Sequence, residues 1–205
     1  MKNIFDKIFS FLLILFLSPL FLVIAILLKC SGWIWKEDQG PILYFEDRIS
    51  EGKVFRLIKF RIIQYSILKE MRNKQGRINK IKDMERDDKN VTHVGRYLKK
   101  YYLDEILQLI HILKGEISFV GPRPWPVDDY NEEIKQGIYR KKIMKAGLTG
   151  WTQIHKGIYK NLEEERALDY EYIDRILTQS VWKSFLYDIG IMFSSVKTVF
   201  RAEGL

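Results

Sequence analysis

A chain of 205 residues accommodates one cored domain with an appendage, and two full domains would be a tight fit. Its 34 Lys+Arg against 26 Asp+Glu leave a net charge of +8, which suits an anionic partner such as a lipid surface, a nucleotide or a nucleic acid. The single cysteine, Cys30, excludes an internal disulfide and a cysteine-rich metal centre, and three scattered histidines, His93, His111 and His155, argue against zinc.

From Ile8 to Leu28 the chain carries no charge. As a straight helix this run would measure about 31 Å, enough to cross the hydrocarbon of a bilayer. It is too long for a secretory signal, no small-x-small cleavage site follows, and Lys29 ahead of Cys30 spoils a lipoprotein reading, so the segment is expected to stay on the protein. Ser18-Pro19 sits in its middle. A proline there removes one backbone hydrogen bond and kinks or breaks the helix, at a cost of roughly 3 kcal/mol. The Ser18 hydroxyl is the nearest candidate partner for the freed carbonyl. Positive charges flank both ends and give no direction across the membrane. Two readings stay open on the run itself: a kinked spanning helix, or one that dips in, bends at Pro19 and returns to the same face.

Trp33, Trp35 and Lys36 form an aromatic and basic mixture typical of an anchor at headgroup level. Ile42 to Ile49 and Val54 to Phe60 are β-rich runs joined across Ser50-Glu51-Gly52-Lys53, which predicts a hairpin ending in the cations of Lys59-Phe60-Arg61. Lys69 to Asn90 is dense in charge and poor in apolar periodicity, a loop or a solvated helix. Order returns at Val91 to Leu98. Lys99 and Lys100 then precede an acid pair, either as solvated lysines or as cations that would hold Asp104 ionised.

Leu103, Ile106, Leu107, Ile110 and Leu113 recur at three- and four-residue steps, which predicts a helix closed by Lys114-Gly115. Asp104 and Glu105 open it. Neighbouring helix positions point about 100° apart, so the two carboxylates can take different tasks. Ile117 to Val120 is a short extended run into Gly121-Pro122-Arg123-Pro124, where two prolines stiffen the approach to Arg123. An acid pair, a helix start suited to phosphate and a pre-positioned guanidinium within one segment point to phosphate chemistry. Val127 to Ala146 reads as charged helix, Ala146 to Ile154 as a turn-rich approach to a short strand, and Leu162 to Phe200 as helix broken near Thr178. Its last part carries Leu186, Ile189, Met192, Phe193, Val196, Val199 and Phe200 as an apolar stripe, with Lys183, Lys197 and Arg201 nearby. Packing on the core is the default for that stripe, and a membrane surface the alternative.

Taken in order, Lys2 to Asp6 (KNIFD), Ser18-Pro19, Lys59-Phe60-Arg61, Thr92 to Arg96 (THVGR), Leu103-Asp104-Glu105, Leu113 to Pro124 (LKGEISFVGPRP), Gly147 to Ile154 (GLTGWTQI) and Leu168-Asp169-Tyr170 resemble the bacterial sugar transferases of the monotopic phosphoglycosyl transferase family. The resemblance runs from end to end. It implies a predominantly helical α+β fold with a re-entrant, membrane-dipping helix-break-helix at the N-terminus, bent at Ser18 and Pro19. A small β-hairpin and amphipathic interfacial helices around a compact catalytic core would complete it. Residues 1–36 would be the membrane helix and interfacial anchor, and 37–205 the catalytic domain on the cytoplasmic face of a bacterial inner membrane.

Such enzymes move a sugar-1-phosphate from a UDP-sugar to a polyprenol phosphate, usually undecaprenyl phosphate, with Mg2+, as the first membrane step of glycan assembly. By this resemblance Asp104 is the nucleophile that carries the phosphosugar, and Glu105 assists in metal binding or in preparing the acceptor. Lys59, Lys99 and Arg123 are the candidates for substrate phosphate. An anionic lipid surface is the expected contact, and a homodimer a possible assembly. Asn3, Ile62-Ile63, Lys99 and His155-Lys156-Gly157 depart from the family's usual arginine, threonine-methionine, arginine and Asn-Gly-Arg; the last concerns donor specificity. The alternative is a non-catalytic membrane scaffold of a glycan assembly complex. Nucleic acid does not fit, since the cations are interleaved with acids and no recognition motif is present.

Overall fold

The computed structural model describes residues 1–75, 84–85 and 87–200. The expectations for 76–83, for Arg201 and for the side chains of Val199 and Phe200 lie outside the described residues.

Helix α1 (Lys2–Ile34) takes up the whole apolar run. Where a helix-break-helix is expected, the chain is one helix that continues through Pro19, which cannot donate to the Leu15 carbonyl four residues back. The Ser18 hydroxyl fills that place, 2.8 Å from the Leu15 oxygen. By length and composition the helix could cross a membrane. Its outer face is apolar and bare, with Phe16 78% and Leu15 65% exposed, while Asp6, Ser10, Ile24 and Leu28 are buried against the rest of the chain.

Strands β1 (Leu43–Ser50) and β2 (Lys53–Phe60) form the expected hairpin. Both turn residues have positive φ, Glu51 at 51° and Gly52 at 73°, the twist that a two-residue hairpin turn needs. The order of this sheet is β2-β1-β4, with β4 (Trp125–Pro126) antiparallel to β1. A second, parallel pair joins β3 (Ser118–Val120) to β5 (Gly147–Thr149).

Among the helices, α2 spans Tyr65–Gln75 and α3 His93–Lys100. Thr92 caps α3 by accepting from the Gly95 amide at 2.9 Å. The helix predicted from Leu103 winds differently. It starts as a 3-10 segment, Leu103–Gln108, and becomes helix α4 only over Leu109–Lys114, closed by Gly115 at φ 80°. In the tighter winding, positions three apart eclipse, so Asp104 and Leu107 are buried on one side.

The charged stretch after Pro126 divides into α5 (Val127–Lys135) and α6 (Arg140–Ile143), parted at Gly137 with φ 76°. The strand expected at the end of Ala146–Ile154 lies earlier, as β5. Past it the chain turns at Gly150, where no side chain would fit beside the Gly121 carbonyl, into helix α7 (Trp151–Ile154). Helices α8 (Leu162–Thr178) and α9 (Val181–Phe200) complete the chain.

The stripe on α9 packs inward only in part, with Met192 against the core. Leu186 (65%), Phe193 (69%) and Val196 (51%) face outward, whereas Asp188 and Ile191 are buried. The physical reason is a shift of the helix face: a buried acid, held by Lys2 and Tyr172, occupies the inward position.

Two apolar clusters make the core, and α1 touches both. Its Ile24 and Leu28 pack with Phe60, Ile62, Ile63, Leu68 and Leu98. Its Phe9, Leu13 and Leu17 pack against a second cluster built from Leu109, Ile112, Ile117, Phe119 and Ile191.

Candidate active site

On a strand, residues two apart share a face, so Tyr44, Glu46 and Arg48 of β1 stand together. The hairpin register sets Tyr44 opposite Lys59. The Lys59 ammonium leans over this row and bridges two acids: Glu105 at 2.9 Å and Glu46 at 3.8 Å. Glu46 is closed off by Arg48 at 2.7 Å. From the other side the Arg123 guanidinium approaches Glu105 at 3.7 Å. Glu105 thus sits between two cations, and Asp104, 6% exposed, lies beside it.

The carboxylates are driven apart in acidity. Burial, and then the charge of Glu105, push the Asp104 carboxyl up to about 8, against the opposing pull of Lys59. Glu105 suffers burial too, yet Lys59 and Arg123 hold it below the usual carboxylate range. Two adjacent acids, one retaining its proton more readily and the other firmly ionised, are suited to different tasks. Lys99 does not supply the expected charge to Asp104. Its ammonium is turned to the Glu85 carbonyl and lies 3.9 Å from Asp88. Lys59 holds that position, because the hairpin register, not helix spacing, delivers a cation to the pair.

Arg123 is aimed by backbone. The Gly121 amide donates to the Thr149 carbonyl and the Gly147 amide to the Pro122 carbonyl, each at 2.9 Å. A side chain on Gly147 would meet the Gly121 nitrogen at 2.1 Å, and one on Gly150 the Gly121 oxygen at 2.1 Å. The two glycine-bearing turns therefore interlock with no room for a Cβ. Behind them Trp125 is covered by Arg140, whose guanidinium carbon is 4.3 Å from the indole centre. Arg140 is fully buried and is satisfied by Glu133 and Asp169, and Asp169 also takes Lys141 and Thr152.

Several polar residues prove to be structural. His111 accepts from the Ile58 amide through Nε2 at 3.0 Å and donates from Nδ1 to Glu116, tying β2 to α4. Arg61 turns away from Lys59 into the carbonyls of Pro41, Ile63 and Asp38. Sequence reading missed Tyr44, Glu46, Arg48 and Glu85. The first three were open to it, since counting back from the Glu51-Gly52 turn sets Tyr44 across from Lys59.

Among the described residues no group of three or more His, Cys, Asp or Glu forms a ready metal cage. The adjacent carboxylates of Asp104 and Glu105 are the residues that would hold a divalent cation, whose other positions water and substrate phosphate would fill.

This chain belongs to the bacterial sugar transferase family, whose model matches residues 1–202. Over 91% of its length it is 30% identical to the UDP-N-acetylgalactosamine-undecaprenyl-phosphate N-acetylgalactosaminephosphotransferase of Aeromonas hydrophila. Over 96% it is 32% identical to the UDP-glucose:undecaprenyl-phosphate glucose-1-phosphate transferase of Escherichia coli. It spans only 40% and 39% of those two proteins. The exopolysaccharide production protein ExoY of Sinorhizobium fredii is nearer in size, 32% identical with 87% of its length covered.

Proposed function

We propose that this chain transfers a sugar-1-phosphate from a UDP-sugar to a polyprenol phosphate, undecaprenyl phosphate by analogy with its relatives, by way of an aspartyl phosphosugar on Asp104. The observation that carries this reading is the buried Asp104 beside a half-buried Glu105 that Lys59 and Arg123 flank.

In the first step an Asp104 carboxylate oxygen attacks the sugar-bearing phosphorus. The bond from that phosphorus to the bridging oxygen breaks, and UMP leaves with the electron pair. In the second, an oxygen of the polyprenol phosphate attacks the same phosphorus and returns the carboxylate. Lys59 and Arg123 reduce the repulsion between anions, and Arg123 can grip two phosphate oxygens with one planar group. Lys99, near the Glu85 carbonyl, is an outlying candidate for phosphate contact. Magnesium, held by Asp104 and Glu105, would supply further charge neutralisation when bound.

A polyprenol phosphate keeps its tail in lipid, and a nucleotide sugar arrives from water, so the site has to lie at their boundary. We read residues 1–36 as a re-entrant membrane helix with its anchor, and 37–205 as the catalytic domain at the cytoplasmic face of the inner membrane. Two attachments of α1 to the same body support this: Lys2 bonds the Val120 carbonyl and Asp188, and Ser31 donates to Asp38. The exposed apolar residues of α9 and the bare Trp33 support contact with the lipid surface. A homodimer would leave this chemistry intact within each chain.

The test is release of UMP by purified protein with magnesium and a panel of UDP-sugars. Asp104→Asn should abolish it. Normal turnover by that variant would overturn the assignment, and failure with every donor would favour the scaffold reading.

A further inference from the structure

Two ammonium groups that the reaction scheme leaves unused meet at the closed end of α4. Measured from the point a Cβ would occupy on Gly115, the Lys145 ammonium is 3.7 Å away and the Lys7 ammonium 3.9 Å. Segments remote in the chain thus bring two cations over one glycine, and the exposed Lys114 stands just before it. None of the three lysines forms a salt bridge with a described residue. The acids nearest them in the chain are turned elsewhere: Asp6 accepts from Ser118 at 2.6 Å, and Glu116 from His111. The negative end of a helix dipole accounts for Lys114, but α4 has only six residues and gives no reason for Lys7 and Lys145 to converge there. Like charges brought together repel, and an anion between them relieves this.

The surroundings say which anion. Lys7 is the last charged residue before the uncharged run from Ile8 to Leu28. Ile4 and Phe11, one turn before and after it on the same face of α1, are 66% and 54% exposed. A cation between exposed apolar side chains, at the start of the helix apolar enough to enter lipid, stands at headgroup level. The cations that act on the acid pair are Lys59, Arg123 and Arg48, so the Gly115 cluster is separate from the reacting centre.

We propose that Lys7 and Lys145, with Lys114 beside them, bind the headgroup phosphate of an anionic membrane phospholipid over Gly115, each ammonium donating to an oxygen of the same phosphate. A phospholipid matches both features of the place, its phosphate the paired cations and its acyl chains the exposed residues of α1. Because α4 continues the 3-10 segment that holds Asp104 and Glu105, a lipid bound at its far end fixes the height of the acid pair against the membrane. The inference rests on the reading of α1 as lipid-embedded and adds to it a defined lipid site on the catalytic body.

The experiment uses the full chain in nanodiscs of phosphatidylcholine mixed with phosphatidylglycerol, and native mass spectrometry counts the lipids that stay on the protein. Phosphatidylglycerol should be enriched over phosphatidylcholine. Lys7→Gln or Lys145→Gln should lower that enrichment about fivefold, the value of one lysine at an anionic surface, while Lys145→Arg keeps it. Lys160→Gln removes the same charge from an exposed position outside the cluster and should change the enrichment less than twofold. In phosphatidylcholine alone, the Tm of Lys7→Gln and Lys145→Gln should be unchanged or higher. Unaltered enrichment in both variants would overturn the proposal, and so would an equal loss in Lys160→Gln, which would reduce the effect to net charge. A lower Tm would overturn it by revealing a structural partner, and displacement of the phosphatidylglycerol by inorganic phosphate would assign the cluster to the free ion. Failure of the embedded reading looks different: the unmodified chain would not float with vesicles of phosphatidylcholine alone, and the lipid site would fall with it.

Discussion

Lys59 and Glu105 stand 2.9 Å apart at the junction of the hairpin and the 3-10 segment, and this pair joins two parts of the chain that sequence spacing keeps separate. Lys59 is largely buried and still charged, since Glu105, Glu46 and Asp104 outweigh the effect of burial on its ammonium. Replacing it by methionine leaves Glu105 and Glu46 without that cation. Lys59→Met should lower the rate of UMP release by about a hundredfold or more, the usual cost of removing one charge-stabilising group from a reacting site. Stopped-time assays at saturating donor check this.

Asp104 yields a prediction about stability. Its carboxyl is raised from the ordinary 3.8 to about 8, so between these values the folded chain holds a proton that the unfolded chain has released. Stability from this group is present at low pH and is lost as pH rises through the folded value. Asp104→Asn cannot ionise. The Tm of the unmodified protein should therefore fall relative to that of Asp104→Asn as pH is taken from about 5 to 8, and the gap should level off above. A pH series of thermal melts in nanodiscs without magnesium tests it.

The same shift affects rate. The attacking species is the Asp104 anion, so at limiting magnesium single-turnover UMP release should climb with pH on the alkaline side of neutrality, and saturating magnesium should move that limb to lower pH. Glu105→Gln removes the neighbouring negative charge that helps raise Asp104, and should move the rising limb to lower pH. A limb that stays in place in that variant would contradict the electrostatic account.

Arg123 should not tolerate lysine. The change keeps the charge but loses the planar fork, and kcat/KM for the UDP-sugar should drop about tenfold or more. Arg123→Ala should drop it further. Initial-rate kinetics on both variants decide the matter.

Gly147→Ala tests the interlocked turns. A methyl there would lie 2.1 Å from the Gly121 nitrogen, which is backbone and cannot swing aside. A loss of about 1–3 kcal/mol is expected, visible as a lower Tm, with activity falling further because Arg123 is displaced.

Much of this arrangement was legible residue by residue. The β-rich runs and a Glu51-Gly52 turn sufficed for the hairpin, and the missing donor of Pro19 pointed to the Ser18 hydroxyl that now meets the Leu15 carbonyl. The pairing of GPRP with GLTGW was not visible in this way. Neither turn shows alone that its glycines exist to admit the other's backbone. Lys99 was misjudged for a related reason: closeness in the chain suggested closeness to Asp104, and a helix end turned its ammonium to Glu85.

Local chemistry in the sequence determined the apolar length of α1, the hairpin, the adjacent carboxylates and the stiffened arginine turn, because each depends on neighbours within a few residues. Tertiary structure alone decided which cation meets Glu105, how far burial lifts the proton affinity of Asp104, and which backbone the glycines of the two interlocked turns admit. Those depend on distance and solvent exclusion between segments remote in the chain, and no local pattern encodes either.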